Sequence, residues 1–170
     1  MCCKRYGEVS VARWLGMSSQ ATPAAFGEYA TSRPIQEGAT LSAQRESVEA
    51  PNAPAAIGPY VHAVRAGGLL FCSGQIPLDP RTGDLVGGSA GEQAGRCLEN
   101  LAAVCDAAGA TLGDAVKLTV YLTDMRTFPE VNDVYGSFFE SDPPARVAIG
   151  VSALPRGAMV EIDAVVALPD

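Results

Sequence analysis

Several residues in this chain have the type and spacing to do chemistry, and each also has an ordinary reading. Arg146 follows Asp142-Pro143-Pro144-Ala145. The prolines fix the approach of the chain. A guanidinium at the mouth of a strand can clamp a carboxylate through two parallel N–H bonds. Its ordinary reading is a surface arginine paired with Asp142 or another acid. Glu161 interrupts an otherwise apolar run, Val160-Glu161-Ile162-Asp163-Ala164-Val165-Val166-Ala167. A carboxylate on a half-buried sheet face can hold a water and exchange protons with it, and burial raises its pKa towards a useful range. Its ordinary reading is an edge charge that discourages aggregation. Asp163 shares that face and competes for the role. Tyr60 ends Gly58-Pro59-Tyr60, where an aromatic plug is the plainer reading. Ser73-Gly74 follows the apolar Leu69–Cys72 run, and a glycine there lets backbone approach a ligand. Asn132 lies in the first turns of a helical stretch. His62 has no evident partner and reads as a surface histidine.

The rest of the composition narrows the chemistry. The chain has 170 residues, of which 48% are hydrophobic and 18% charged, enough for one domain with a core of ordinary size. Acids outnumber bases 19 to 12, for a net charge of −7. That argues against a nucleic-acid binder, which needs basic surface to displace counterions. A single histidine argues against Ser-His-Asp catalysis and His-rich metal sites. No P-loop, dinucleotide fingerprint, CxxC or HExxH occurs, and no metal site is expected. The five cysteines (2, 3, 72, 97 and 105) lack metal spacing, and their odd number without a framework suggests reduced thiols and a cytosolic address. No apolar run approaches the ~18 residues of a membrane span. Met1-Cys2-Cys3-Lys4-Arg5 is basic, but no apolar stretch follows it, so no secretory signal is expected.

These residues need elements to position them, and the chain divides near residue 50. Residues 1–50 carry five bases and five acids, so all of the net charge belongs to 51–170. They hold no persistent period and read as a mostly disordered extension, with a turn or two of helix around Trp14. From Pro51 the patterns sharpen. Tyr60–Ala66 and Leu69–Ser73 read as strands about Gly67-Gly68, a two-residue hairpin signal. Ser89-Ala90-Gly91-Glu92 is a capping box. Ala94, Cys97, Leu98, Leu101, Val104, Cys105 and Ala108 follow at helical spacing, and Gly109 ends the helix. Val116–Thr123 reads as a strand. Thr127-Phe128-Pro129-Glu130 caps a second helix, with Val131, Tyr135, Phe138 and Phe139 as its apolar stripe. Arg146–Ala153 and Met159–Leu168 complete the order ββαβαββ, an α+β domain.

Each later strand has one apolar and one small or polar face. Two helices cover one side of a sheet, and the apolar side should take them: Val116, Leu118, Val120 and Leu122; Val147, Ile149, Val151 and Ala153; Val160, Ile162, Ala164 and Val166. The other side then faces water or packs against identical subunits. Ala148, Gly150 and Ser152 there would allow close approach of another backbone, which favours an oligomer. A hairpin turning near residue 156 would set Val151 opposite Glu161 and leave Arg146 about 16 Å away. If both serve one small substrate, they then come from different subunits.

Ala53-Pro54-Ala55-Ala56-Ile57-Gly58-Pro59-Tyr60, Ser73-Gly74-Gln75-Ile76-Pro77, Pro144-Ala145-Arg146 and Leu154-Pro155 to Val160-Glu161-Ile162 together resemble the reactive-intermediate deaminase family (RidA, also called YjgF or L-PSP). The resemblance covers about residues 51–170. It implies a chorismate-mutase-like α+β fold and a homotrimer with sites in clefts between subunits. It implies hydrolysis of 2-imino acids (2-iminobutanoate, 2-iminopropanoate) to 2-keto acids and ammonia, with no metal or cofactor. Residue by residue, Arg146 would bind the substrate carboxylate. Glu161 would activate water and help protonate the departing nitrogen. Tyr60 would line the pocket, the backbone of Ser73 and Gly74 would contact the imine end, and Asn132 would help close the cleft. Ala148 would line the site where many members carry a cysteine. The competing expectation is a trimeric small-metabolite binder or regulatory protein on the same scaffold. Members have also been described as ribonucleases, a reading that the acidic balance weakens.

Overall fold

The computed structural model describes residues 45–139 and 141–169. The disorder expected of residues 1–44, the turn or two of helix around Trp14, and Cys2 and Cys3 fall outside the described residues. The local signals of the sequence become the elements of the fold. Strands β2 (Ala63–Ala66) and β3 (Leu69–Gln75) form an antiparallel hairpin. Gly67 and Gly68 turn it with φ of 59° and 77°, the left-handed pair that a tight hairpin turn demands. Helix α1 (Ala90–Ala107) starts on the expected box: Ser89 Oγ accepts from Glu92 N–H, and Glu92 Oε2 accepts from Ser89 N–H at 2.7 Å. Its stripe of Ala94, Cys97, Leu98, Leu101, Val104 and Cys105 is buried.

Three further strands and a second helix follow: β4 (Ala115–Leu122), α2 (Phe128–Phe138), β5 (Ala145–Gly150) and β6 (Val160–Ala167). A short strand, β1 (Glu46–Val48), precedes them all and pairs with β2. The order is therefore βββαβαββ, one strand more than the sequence reading, and ordered chain begins ahead of Pro51. The first strand of the hairpin is also shorter than the expected Tyr60–Ala66. The sheet runs β1-β2-β3-β6-β4-β5. Strand β6 slots between β3 and β4, antiparallel to both. The expected β5–β6 hairpin does not exist. Helix α2 carries the chain over as a crossover, so β5 lies parallel to β4 at the sheet edge.

The helices pack on the face that carries Leu70, Leu118, Val120, Leu122, Val160, Ile162 and Val166, all with 0–1% exposure. For β4 and β6 this is the face read from the sequence. Val116 is an exception: a bulge in β4 turns it out to 50% exposure. For β5 the assignment reverses. Its register sets Arg146 beside Leu118 and Ala148 beside Val120, on the helix side. The small residues make room there, and a side chain at Gly150 would press on Met125. Val147 and Ile149 point the other way and are each 43% exposed. In α2, Phe138 faces solvent rather than the core, and Thr127 spends its hydroxyl on the Asp124 carbonyl instead of capping the helix. No helix among the described residues is long and apolar enough to cross a membrane.

Candidate active site

The residues singled out by chemistry gather in two clefts. The first, of about 320 Å³, is lined by Ile57, Tyr60, Ser73, Gly74, Ile76, Pro155 and Glu161. Its floor is a bulge in β3. Register shifts between Cys72 and Gln75, so Ser73 and Gly74 leave the ladder with β6. Ser73 is anchored by its own bonds: its hydroxyl donates to the Val61 carbonyl at 2.7 Å and its N–H to the His62 carbonyl at 2.9 Å. Gly74 leaves the room that Glu161 uses, because a Cβ there would displace the Glu161 carboxylate. Glu161 projects from the start of β6 onto the open face of the sheet, half-buried. Burial first, and the charge of Asp163 second, push its carboxyl above the ordinary carboxylate range. Tyr60, 45% exposed, forms the rim, and its hydroxyl accepts from Ile57 N–H at 3.3 Å.

The second cleft, of about 310 Å³, is lined by Asn132, Tyr135, Gly136, Phe139, Pro143, Pro144 and Arg146. Arg146 is held by its neighbours. Its guanidinium carbon lies 4.5 Å from the Tyr135 ring centroid and 5.5 Å from that of Phe128, and Nη2 donates to Asn132 Oδ1 at 2.9 Å. Such stacking stabilises by about 0.5–1 kcal/mol at an exposed site and fixes the plane of the donor fork. Its ion pair with Asp142, the ordinary reading, is absent among the described residues, where the arginines that do pair are Arg65, Arg81, Arg96 and Arg126. Ala148 packs against the core beneath this side of the sheet.

The two clefts share no lining residue, and Arg146 and Glu161 leave the sheet on opposite faces. Tyr60, Ser73, Gly74 and Glu161 come together in one; Asn132 and Arg146 come together in the other. The argument from a β5–β6 hairpin for keeping Arg146 and Glu161 apart thus fails, while their separation in one chain is set by sheet face. Tyr135 is the residue the sequence reading passed over as mere core. Its hydroxyl is buried without a partner, and burial raises its pKa against the pull of Arg146. Its i, i+3 spacing from Asn132 was the available signal.

His62 is also not the surface residue expected. It is 6% exposed, with Nδ1 accepting from Ala50 N–H at 3.1 Å and Nε2 bonded to the Pro54 carbonyl at 3.0 Å. It thereby pins the segment that delivers Ile57 and Tyr60 to the first cleft.

A family model described as endoribonuclease L-PSP matches residues 50–168. A RutC family protein of Pyrococcus horikoshii is 47% identical over 121 residues, 71% of this chain and 96% of that one. A mouse protein named 2-iminobutanoate/2-iminopropanoate deaminase is 46% identical over 121 residues, 71% of this chain and 90% of its own. The crystal structure of RidA from the Antarctic bacterium Psychrobacter sp. PAMC 21119 superposes with a TM-score of 0.70 at 40% identity, covering 72% of this chain and 99% of that one.

Proposed function

The chain belongs to the RidA/YjgF (L-PSP) family, and from that premise we propose that it hydrolyses small 2-imino acids, such as 2-iminobutanoate and 2-iminopropanoate, to 2-keto acids and ammonia. One observation carries the reading: a pre-oriented guanidinium and a half-buried carboxyl with a raised pKa stand in two open clefts that a single chain keeps apart. Each cleft is half of a site. We propose that a homotrimer joins them, Arg146 of one subunit facing Glu161 of the next. The open face supports this assembly. Phe71, Val147 and Ile149 expose 43–44% of their surface on it, more apolar area than a solvated face needs.

In the joined site the Arg146 fork takes the substrate carboxylate. This sets the imine carbon against a water held by Glu161. The Glu161 carboxylate accepts a proton from that water as its oxygen bonds to the carbon. The same carboxyl returns the proton to the nitrogen. The resulting amino alcohol collapses to the keto acid with loss of ammonia, so one water is consumed for each ammonia released. The imine carbon is already electrophilic, and positioning with one proton relay suffices. Free thiols at Cys72, Cys97 and Cys105 suit a reducing, cytoplasmic setting.

The test follows the decay of 2-iminobutanoate generated in place by a threonine dehydratase. Faster decay with the protein supports the reading. Saturable binding of keto acids without acceleration would instead favour a metabolite binder.

A further inference from the structure

Glu161 and Asp163 stand two residues apart on the open face of β6. Two neighbouring carboxyl groups can be given different roles by environments that differ. Their environments differ here in a specific way. Tyr121 lies directly opposite Glu161 in β4, yet its hydroxyl reaches diagonally and donates to Asp163 Oδ2 at 2.8 Å. Glu161 turns to the other side, towards β3, where its carboxylate occupies the space that Gly74 leaves empty. One carboxylate therefore has a dedicated donor and the other has a cleft.

We propose that Tyr121 and Asp163 are positioning residues: the Tyr121 hydroxyl pins the Asp163 carboxylate in place beside Glu161, and that fixed neighbour makes Glu161 the group that takes up and releases the proton. This deepens the hydrolase reading and rests on it for its activity readout. The charges around Glu161 are consistent. Asp163 is the acid on its own strand. From β4 come Tyr121 and, opposite Val165, Lys117. Tyr60 faces it across the cleft, and Cys97 lies behind it on α1, its thiol pushed up by burial and by the Glu161 charge. Arg156, after β5, reaches away to the Gly83 carbonyl. In the proposed assembly the neighbour's Arg146 adds an opposing positive charge, so differences between variants are the measurement. The upward shift of Glu161 draws on Asp163 after burial, and that of Tyr121 draws first on its bond to Asp163.

The experiment uses the full chain with ¹³C-labelled glutamate. The Glu161 carboxyl is assigned by loss of its signal in Glu161→Gln and titrated by NMR, and the acid limb of kcat/KM for imine hydrolysis is followed in parallel. Asp163→Asn moves the Glu161 titration and the acid limb to lower pH. Tyr121→Phe moves both the same way by less, because the Asp163 carboxylate is then no longer held in place and repels Glu161 less. In an Asp163→Asn background, Tyr121→Phe moves nothing further. An unchanged Glu161 titration in Asp163→Asn, or equal shifts from Tyr121→Phe in both backgrounds, overturns the proposal. If Asp163→Asn does not fold, Tyr121→Phe alone decides, since it removes one oxygen atom. A protein without imine hydrolysis sinks the function while the NMR titration still judges the pair.

Discussion

Replacing Arg146 with alanine removes the proposed substrate grip together with a guanidinium stacked on Tyr135 and Phe128. Loss of a charge-assisted, desolvated contact costs about 3 kcal/mol, so kcat/KM for 2-iminobutanoate should fall at least about a hundredfold. Circular dichroism should show an intact fold, because the side chain is exposed and makes no buried ion pair. Lysine at 146 keeps the charge but loses the planar fork and the stack, and should recover only part of the rate. Gly74 offers a sharper separation of rate from stability. Its φ lies outside the left-handed region, so alanine fits the backbone, but the new methyl displaces the Glu161 carboxylate. A displaced end group costs little stability, whereas a misplacement of about 1 Å at a reacting group can cost about a hundredfold in rate. Gly74→Ala should therefore melt within a few degrees of the parent and be severely slowed. Near-parental turnover would remove Glu161 from the chemistry.

At the scale of elements, the segment Glu49–Tyr60 is held by one imidazole rather than by a ladder of its own. His62→Ala leaves the Ala50 N–H and the Pro54 carbonyl without their buried partner. Unmet buried groups cost about 1–3 kcal/mol each, so urea unfolding should report a loss of about 2–4 kcal/mol. His62→Gln, which can accept and donate over a similar span, should restore most of it. That histidine also marks what the sequence could and could not disclose. The α1 capping box, the Gly67-Gly68 turn and the alternation in β6 are local patterns, and each could be read from neighbours a few residues apart. Arg146 and Glu161 were legible for a similar reason, as charges in places where their strands expect none. The partners of His62 lie 12 and 8 residues away, and the place of β6 between β3 and β4 depends on pairings across the whole chain. Alternation in β5 correctly sorted its residues into two sets. Which set meets the helices was decided by the α2 crossover and the Leu118–Arg146 register, which no strand pattern contains. The three residues of β1 are too few for alternation to be seen at all.

At the scale of the whole molecule, the proposed reaction needs an assembly, because the sheet puts Arg146 and Glu161 on opposite faces of one chain. Ile149→Asp on the open face sets a charge opposite Tyr121, in the apolar area that assembly would cover. It should give a folded but dissociated, inactive protein by sedimentation. Complementation tests the shared site more directly. Arg146→Ala keeps Glu161, and Glu161→Gln keeps Arg146, so each variant alone has every site defective. In randomly mixed assemblies, a site is complete when its arginine comes from the Glu161→Gln subunit and its glutamate from the Arg146→Ala subunit. For a closed ring of equal mixture each condition holds half the time, so about a quarter of sites are whole and about a quarter of parental activity should return. Unfolding and refolding the two variants together supplies the mixture, and refolding each alone supplies the control. Within one chain the two side chains could never complement, because a subunit carries one defect or the other. Activity of the mixture no greater than the sum of the two dead variants would therefore place both groups in a single subunit, against the geometry of the sheet.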